Sequence, residues 1–122
     1  MIVYGTVGTN DLDRARAFYD KVTEPLGGTR TMEFGGRMQF YGGHGHNMFA
    51  VCTPYDGQRA TVGNGSMFGL ASPSRKAVDA AYNVAVANGA KCEGPPGNRT
   101  DNLYAAYFRD PDGNKICVFN MG

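Results

Sequence analysis

Few residues in this sequence are placed to do chemistry. The two histidines, His44 and His46, stand two apart in the run Gly42-Gly43-His44-Gly45-His46. On an extended segment that spacing puts both imidazoles on one face. The pair therefore offers either two ligands of a metal site or two polar residues of a glycine-rich loop. No third ligand is identifiable beside them, and a metal centre needs three or four, which favours the loop. Arg37, Gln39 and Tyr41 alternate with Met38 and Phe40, the pattern of a strand with one polar and one apolar face. If the apolar pair packs beneath a helix, Arg37, Gln39 and Tyr41 face a binding surface. The guanidinium there could hold a carboxylate or phosphate through two parallel hydrogen bonds. The alternative is a solvated edge strand. Further along, Tyr104 and Tyr107 fall on opposite faces of one strand, and with Phe108 in the core Tyr107 turns to the side of Cys117. Tyr4, Tyr41 and Tyr107 together would make an aromatic, hydroxyl-bearing pocket suited to a planar or amphiphilic small molecule. Asp110, Asp112 and Asn114 have a spacing seen in calcium loops, but the twelve-residue loop and its terminal Glu are missing. No G-x-G-x-x-G run and no local motif for a Ser-His-Asp constellation is present.

The elements that must position these residues follow from the hydrophobic pattern. Residues 1–8 read as a strand. Asn10 offers an N-cap oxygen, and Leu12, Ala15, Phe18, Tyr19 and Val22 recur at three- and four-residue steps, so a helix is expected near 11–24. Pro25 and Gly27-Gly28 end it. Strands are expected at 29–34, 37–41 and 47–53, the first two joined by the Gly35-Gly36 hairpin signal. Residues 54–65 carry Pro, Asp, Gly and Asn without periodicity and read as a linker. The order then repeats. A strand at 66–71 precedes Ser74 as N-cap of a helix near 74–88, whose stripe is Val78, Ala81, Tyr82 and Ala85. A short strand follows at 90–93, then a Pro/Gly-rich loop at 94–101. Strands at 103–109 and 115–120 are joined by the turn Asp110-Pro111-Asp112-Gly113-Asn114. Residues 4–19 map onto 67–82 with one constant offset of 63. The chain thus reads as one domain of two repeats, about 1–53 and 66–122. A duplicated unit that cannot bury its sheet face alone has a physical reason to pair.

Two segments carry a family resemblance. Gly8-Thr9-Asn10-Asp11-Leu12-Asp13-Arg14-Ala15-Arg16-Ala17-Phe18-Tyr19-Asp20 is similar to the first strand–helix junction of the vicinal-oxygen-chelate superfamily, that of glyoxalases, bleomycin-resistance proteins and dioxygenases. Tyr107-Phe108-Arg109-Asp110-Pro111-Asp112-Gly113-Asn114-Lys115-Ile116 resembles its last hairpin. The resemblance implies an α+β fold of paired βαβββ repeats, forming a cupped eight-stranded mixed sheet with helices outside. Active members hold a divalent metal in the cup, which chelates vicinal oxygens of the substrate and stabilises a developing oxyanion. Carried over position by position, the first-strand ligand falls on Tyr4 and its counterpart in the second repeat on Met67. The last-strand carboxylate falls on Cys117, and the matching position in the first repeat falls near Phe49. None is a His or a carboxylate, which a hard divalent ion requires, so no metal or other cofactor is expected. Tyr4, Met67 and Cys117 could instead make a soft sulfur site for cuprous copper, or simply fill the cup.

The bulk numbers exclude other classes. The chain has 122 residues, 42% of them hydrophobic, and a net charge of +1, which gives no electrostatic case for nucleic acid or an anionic membrane. No apolar stretch is long enough to cross a bilayer and no signal segment is evident. Cys52, Cys92 and Cys117 are odd in number and unevenly spaced, which points to free thiols in a reducing cytoplasm. Two functions stand out, beside the blander possibility of a scaffold with no ligand. One is a binding module for a small organic molecule, with Tyr4, Arg37, Gln39, Tyr41, Phe49, Met67, Tyr107 and Cys117 as candidate contacts; by analogy with sequestering resistance proteins it implies a homodimer. The other is a divergent glyoxalase-type lyase or isomerase using His44, His46, Arg37 and Tyr107.

Overall fold

The computed structural model describes residues 1–43 and 45–122. The chain runs β1 (Tyr4–Gly8), α1 (Leu12–Thr23), a single 3-10 turn (Glu24–Leu26), β2 (Thr29–Phe34), β3 (Met38–Gly42) and β4 (Met48–Cys52). The second repeat follows as β5 (Phe68–Ala71), α2 (Arg75–Ala87), β6 (Lys91–Thr100), β7 (Leu103–Arg109) and β8 (Lys115–Asn120). The βαβββ order therefore occurs twice, as the sequence pattern predicts. The eight strands divide into two sheets of four, ordered β1-β4-β3-β2 and β5-β8-β7-β6. Both are mixed: β1–β4 and β5–β8 are parallel and the other pairs antiparallel.

The helices start on side-chain caps. Asp11, not Asn10, caps α1, its carboxylate accepting from the Arg14 N–H at 3.0 Å. Asn10 is used elsewhere, clasping Ala60 of the linker through an N–H donated to it at 2.7 Å and a side-chain N–H donated back at 3.2 Å. Ser74 caps α2 by accepting from the Ala77 N–H at 3.0 Å. The expected loop at 94–101 is instead the continuation of β6. Its prolines are tolerated because β6 is an edge strand whose ladder to β7 slips at three places; proline is confined to such edges and bulges.

The helix-facing sides of both sheets close on one core. Ala15, Phe18, Tyr19 and Val22 of α1 and Val78, Ala81 and Ala85 of α2 pack with Val51, Phe108, Ile116 and Val118 of the strands. Phe18 reaches the other repeat's sheet, its ring centroid 6.2 Å from that of Phe108. The opposite side of each sheet, its open face, looks away from this core.

Two features join the repeats. Gly5 of β1 lies directly against the Phe68 ring, in the space where any other residue would carry its Cβ. The Asp110–Asn114 turn of the second repeat grips the first. Buried Asp110 accepts from Tyr19 Oη at 2.6 Å, from Asn114 Nδ2 at 3.0 Å, and from the Asp112 and Asn114 N–H groups at 2.9 Å each. Asn114 Nδ2 also donates to the Gly8 carbonyl at 2.8 Å, and Asp112 accepts from the Asn10 N–H and from Arg14 at 2.7 Å. Burial, then the Asp110 charge, holds the Tyr19 phenol well above its usual pKa. Among the described residues, no helix is long and apolar enough to cross a membrane.

Candidate functional site

Strand register decides which candidate side chains reach an open face. Gly5 is level with Phe49 in the β1–β4 pair, and Phe68 is level with Ile116 in the β5–β8 pair. Gly5 and Phe68 are equivalent under the 63-residue offset, so Phe49 is equivalent to Ile116. The counterpart of Cys117 is therefore Ala50, which corrects the expectation for Phe49. One step along a strand reverses the face. Phe49 points into the core, 5.0 Å from the Tyr19 ring and 6.2 Å from that of Phe68.

Gln39 and Tyr41 also face the helix side, which corrects their expected orientation. The single O–H of Tyr41 is shared between Asp20 at 2.9 Å and the Arg16 carbonyl at 3.1 Å, and Gln39 Oε1 accepts from Arg16 Nε at 3.1 Å. The reason lies in α1, which turns Arg16 and Asp20 toward β3 and so offers partners to its polar side. Burial pushes the Tyr41 phenol up, and hydrogen bonding to Asp20 adds to it. Burial works against the Asp20 charge, but the Arg30 fork, 2.8 Å through each nitrogen, and the Tyr41 hydroxyl hold its carboxyl below the usual range. Met38 and Phe40 take the open face instead, where Phe40 is covered by the rings of Tyr4 at 5.4 Å and Phe34 at 5.9 Å. Tyr4 itself remains 53% exposed. Arg37 donates to the Thr53 carbonyl at 2.6 Å and lies 5.5 Å from the Tyr55 ring centre. It lies in the turn before β3 of the first sheet, and Tyr107 lies on β7 of the second. His46 is exposed in the β3–β4 connection, and His44 lies outside the described residues. Of the groups invoked for a rearranged lyase site, Arg37 lies beside Thr53 and Tyr55, Tyr107 on the second sheet, and His46 in the exposed β3–β4 connection.

The second sheet does assemble a site. Met67, just before β5, lines a cavity of about 410 Å³ between the ends of β1 and β5 and the linker, with Thr6, Thr61, Ser66, Asn114 and Lys115 among its walls. Tyr107 stands level with Cys117 on the open face. Lys115 leads from the cavity to this pair, its Nζ 5.7 Å from the Tyr107 ring centre. The Arg99 guanidinium, from β6, lies 5.2 Å from the same ring. Lys115 could have been found from its i, i+2 relation to Cys117 on a strand. Arg99 could not, because its segment reads as loop.

The four positions that family resemblance assigns to metal ligands hold a phenol, a methyl, a thioether and a thiol: Tyr4, Ala50, Met67 and Cys117. This set does not fit a hard divalent ion, which takes imidazole and carboxylate. Met67 lines the cavity, and Tyr4 and Cys117 stand on the open faces of the first and second sheets. Burial raises the Cys117 thiol pKa, against smaller opposing effects of Tyr107, Arg99 and Lys115. All three cysteines are free, with Cys92 exposed, Cys52 half-buried and Cys117 only 6% exposed. A disulfide reagent should therefore titrate Cys92 first and Cys52 next, and Cys117 only as the protein unfolds, because the thiolate is the attacking species. Peptide mapping of timed quenches checks the order; early labelling of Cys117 would contradict the burial.

The sequence model of the glyoxalase/bleomycin resistance protein/dioxygenase superfamily matches residues 2–118. Among solved structures, a glyoxalase/bleomycin resistance protein from Albidiferax ferrireducens T118 is 42% identical, with a TM-score of 0.90, covering 100% of this chain and 99% of its own. A lactoylglutathione lyase from Agrobacterium tumefaciens is 26% identical with a TM-score of 0.67, over 98% of this chain and 92% of its own. A family enzyme from Burkholderia phytofirmans PsJN, 19% identical over 98% of each chain with a TM-score of 0.74, shares the fold. A search of curated proteins gave no match.

Proposed function

Because the chain belongs to the glyoxalase/bleomycin resistance protein/dioxygenase superfamily, we propose that it keeps the family's scaffold as a binding module, taking up a small organic molecule without the divalent metal. One observation carries this reading: the four ligand positions hold Tyr4, Ala50, Met67 and Cys117, yet a cavity of about 410 Å³ persists beside Met67. That volume suits a small ligand. Tyr107 and Cys117 form the adjoining floor, and Lys115 links floor to cavity.

The same reading takes the working form to be a homodimer. The open face of the first sheet exposes Tyr4 and Phe34 over Phe40, and an apolar face of this kind is suited to cover by a second copy. Elemental analysis of protein grown in medium supplemented with zinc, nickel, manganese and iron tests the metal-free claim. Far less than one equivalent of any metal is expected after desalting. A stoichiometric metal, retained by the folded protein, would overturn it.

A further inference from the structure

We infer that the ligand is an organic anion, its carboxylate or phosphate held between Lys115 and Arg99 with its flat part against Tyr107. This rests on the binding-module reading above and adds the chemical class. Arg99 and Lys115 flank one tyrosine ring at 5.2 Å and 5.7 Å. Tyr107 lies on the middle strand of the three, β6-β7-β8, so the two cations approach it from the strands on either side. Like charges drawn to one aromatic ring repel each other unless a counter-charge is supplied.

Neither cation has a carboxylate in salt-bridge contact among the described residues, although Glu93 lies near enough to Lys115 to feel its charge. The Arg99 guanidinium donates only to main-chain oxygens, to the Gly97 carbonyl at 3.0 Å and the Pro95 carbonyl at 2.7 Å. The neighbouring carboxylate, Glu93, is engaged by Arg109 at 2.6 Å. The bonds to Gly97 and Pro95 instead fix the guanidinium in place, which lowers the ordering cost of receiving an anion. The cavity beyond Lys115 agrees in sign. No acidic residue lines it, while Thr6, Thr61 and Ser66 bring hydroxyls and Asn114 an amide. These groups can donate to further oxyanion atoms or to hydroxyls of the same molecule. Tyr107 contributes a flat apolar surface between the cations.

Calorimetric titration with defined probes tests the inference: phenyl phosphate, phenylacetate, inorganic phosphate and the uncharged benzyl alcohol. Phenyl phosphate, phenylacetate or both should bind saturably, and more weakly as salt is raised. Benzyl alcohol should bind at least about tenfold more weakly, the loss expected when a charge-assisted hydrogen bond is removed. The better of the two aromatic anions identifies the oxyanion. Lys115→Gln and Arg99→Gln should each weaken that probe by about tenfold or more, while Lys76→Gln, on exposed α2 surface, should not. Circular dichroism and unfolding midpoints of each variant exclude misfolding as the cause. If benzyl alcohol binds as well as the anions, or both cation variants leave binding intact, the anion inference falls while small-molecule binding stands. Inorganic phosphate binding as tightly as phenyl phosphate would remove the role given to Tyr107. If no probe binds up to its solubility, the anion inference falls, while the binding-module reading is judged separately by the metal analysis.

Discussion

Asp110→Ala should lower unfolding free energy by roughly 3–5 kcal/mol, among the largest losses a single change in this chain can produce. The carboxylate is buried and accepts four hydrogen bonds, from the Tyr19 hydroxyl, the Asn114 amide and two main-chain N–H groups. Alanine leaves all four donors in place without an acceptor, and a buried donor left alone costs its desolvation penalty, about 1–3 kcal/mol. Some relaxation and water entry keep the sum below four such penalties. The change also loosens Asn114 from the Gly8 carbonyl, and so the second repeat from the first. Tyr19→Phe removes one donor together with its bond to the carboxylate and should cost about 1.5–3 kcal/mol. In urea unfolding the alanine variant should show a much lower midpoint. A loss no larger than that of Tyr19→Phe would mean the turn does not bind the repeats together.

Gly5→Val should cost about 2–3 kcal/mol, although valine is the better strand residue. Intrinsic strand preference favours the substitution by at most about 1 kcal/mol. Against it, the new Cβ would overlap Phe68 Cε1, with two further ring atoms inside 3 Å. The obstacle is one side chain, so the loss should be recoverable. Adding Phe68→Ala to Gly5→Val should restore part of the stability, making the double variant more stable than the two single losses predict. Unfolding curves of the four proteins give the coupling directly. Simple additivity would show that β1 and β5 shift apart at no cost.

The fold was largely legible because its signals are local. The stripe Ala15, Phe18, Tyr19 and Val22 belongs to one helix face, and the Asp-Pro-Asp-Gly-Asn turn sits between β7 and β8 as expected. β6 was not legible, because its prolines and glycines look like a loop until the edge position and slipped ladder are known. The site was legible only where strand alternation had a fixed reference. Phe108 in the core sets Tyr107 on the open face beside Cys117. In β3 the alternation of Gln39 and Tyr41 with Met38 and Phe40 is plain, but not which side meets the helix. That depends on Arg16 and Asp20, more than a helical turn away in another element. Phe49 was misplaced for a related reason. The repeats differ in length between helix and last strand, so a match fixed at β1 and β5 drifts before it reaches β4 and β8, and a drift of one residue exchanges core for surface.

The contact of Gly5 with Phe68 bears on how a duplicated chain recognises itself. Under the 63-residue offset these are the same position in the two repeats, and equivalent positions touch only where the halves are related by a twofold turn about that point. Had the repeats stayed identical, the junction would hold either two glycines, leaving a hole the size of a benzene ring, or two phenylalanines competing for one space. Divergence has made one half a socket and the other a plug. Each half therefore fits the other half better than it would fit a copy of itself, so the junction favours pairing of unlike halves over pairing of like ones.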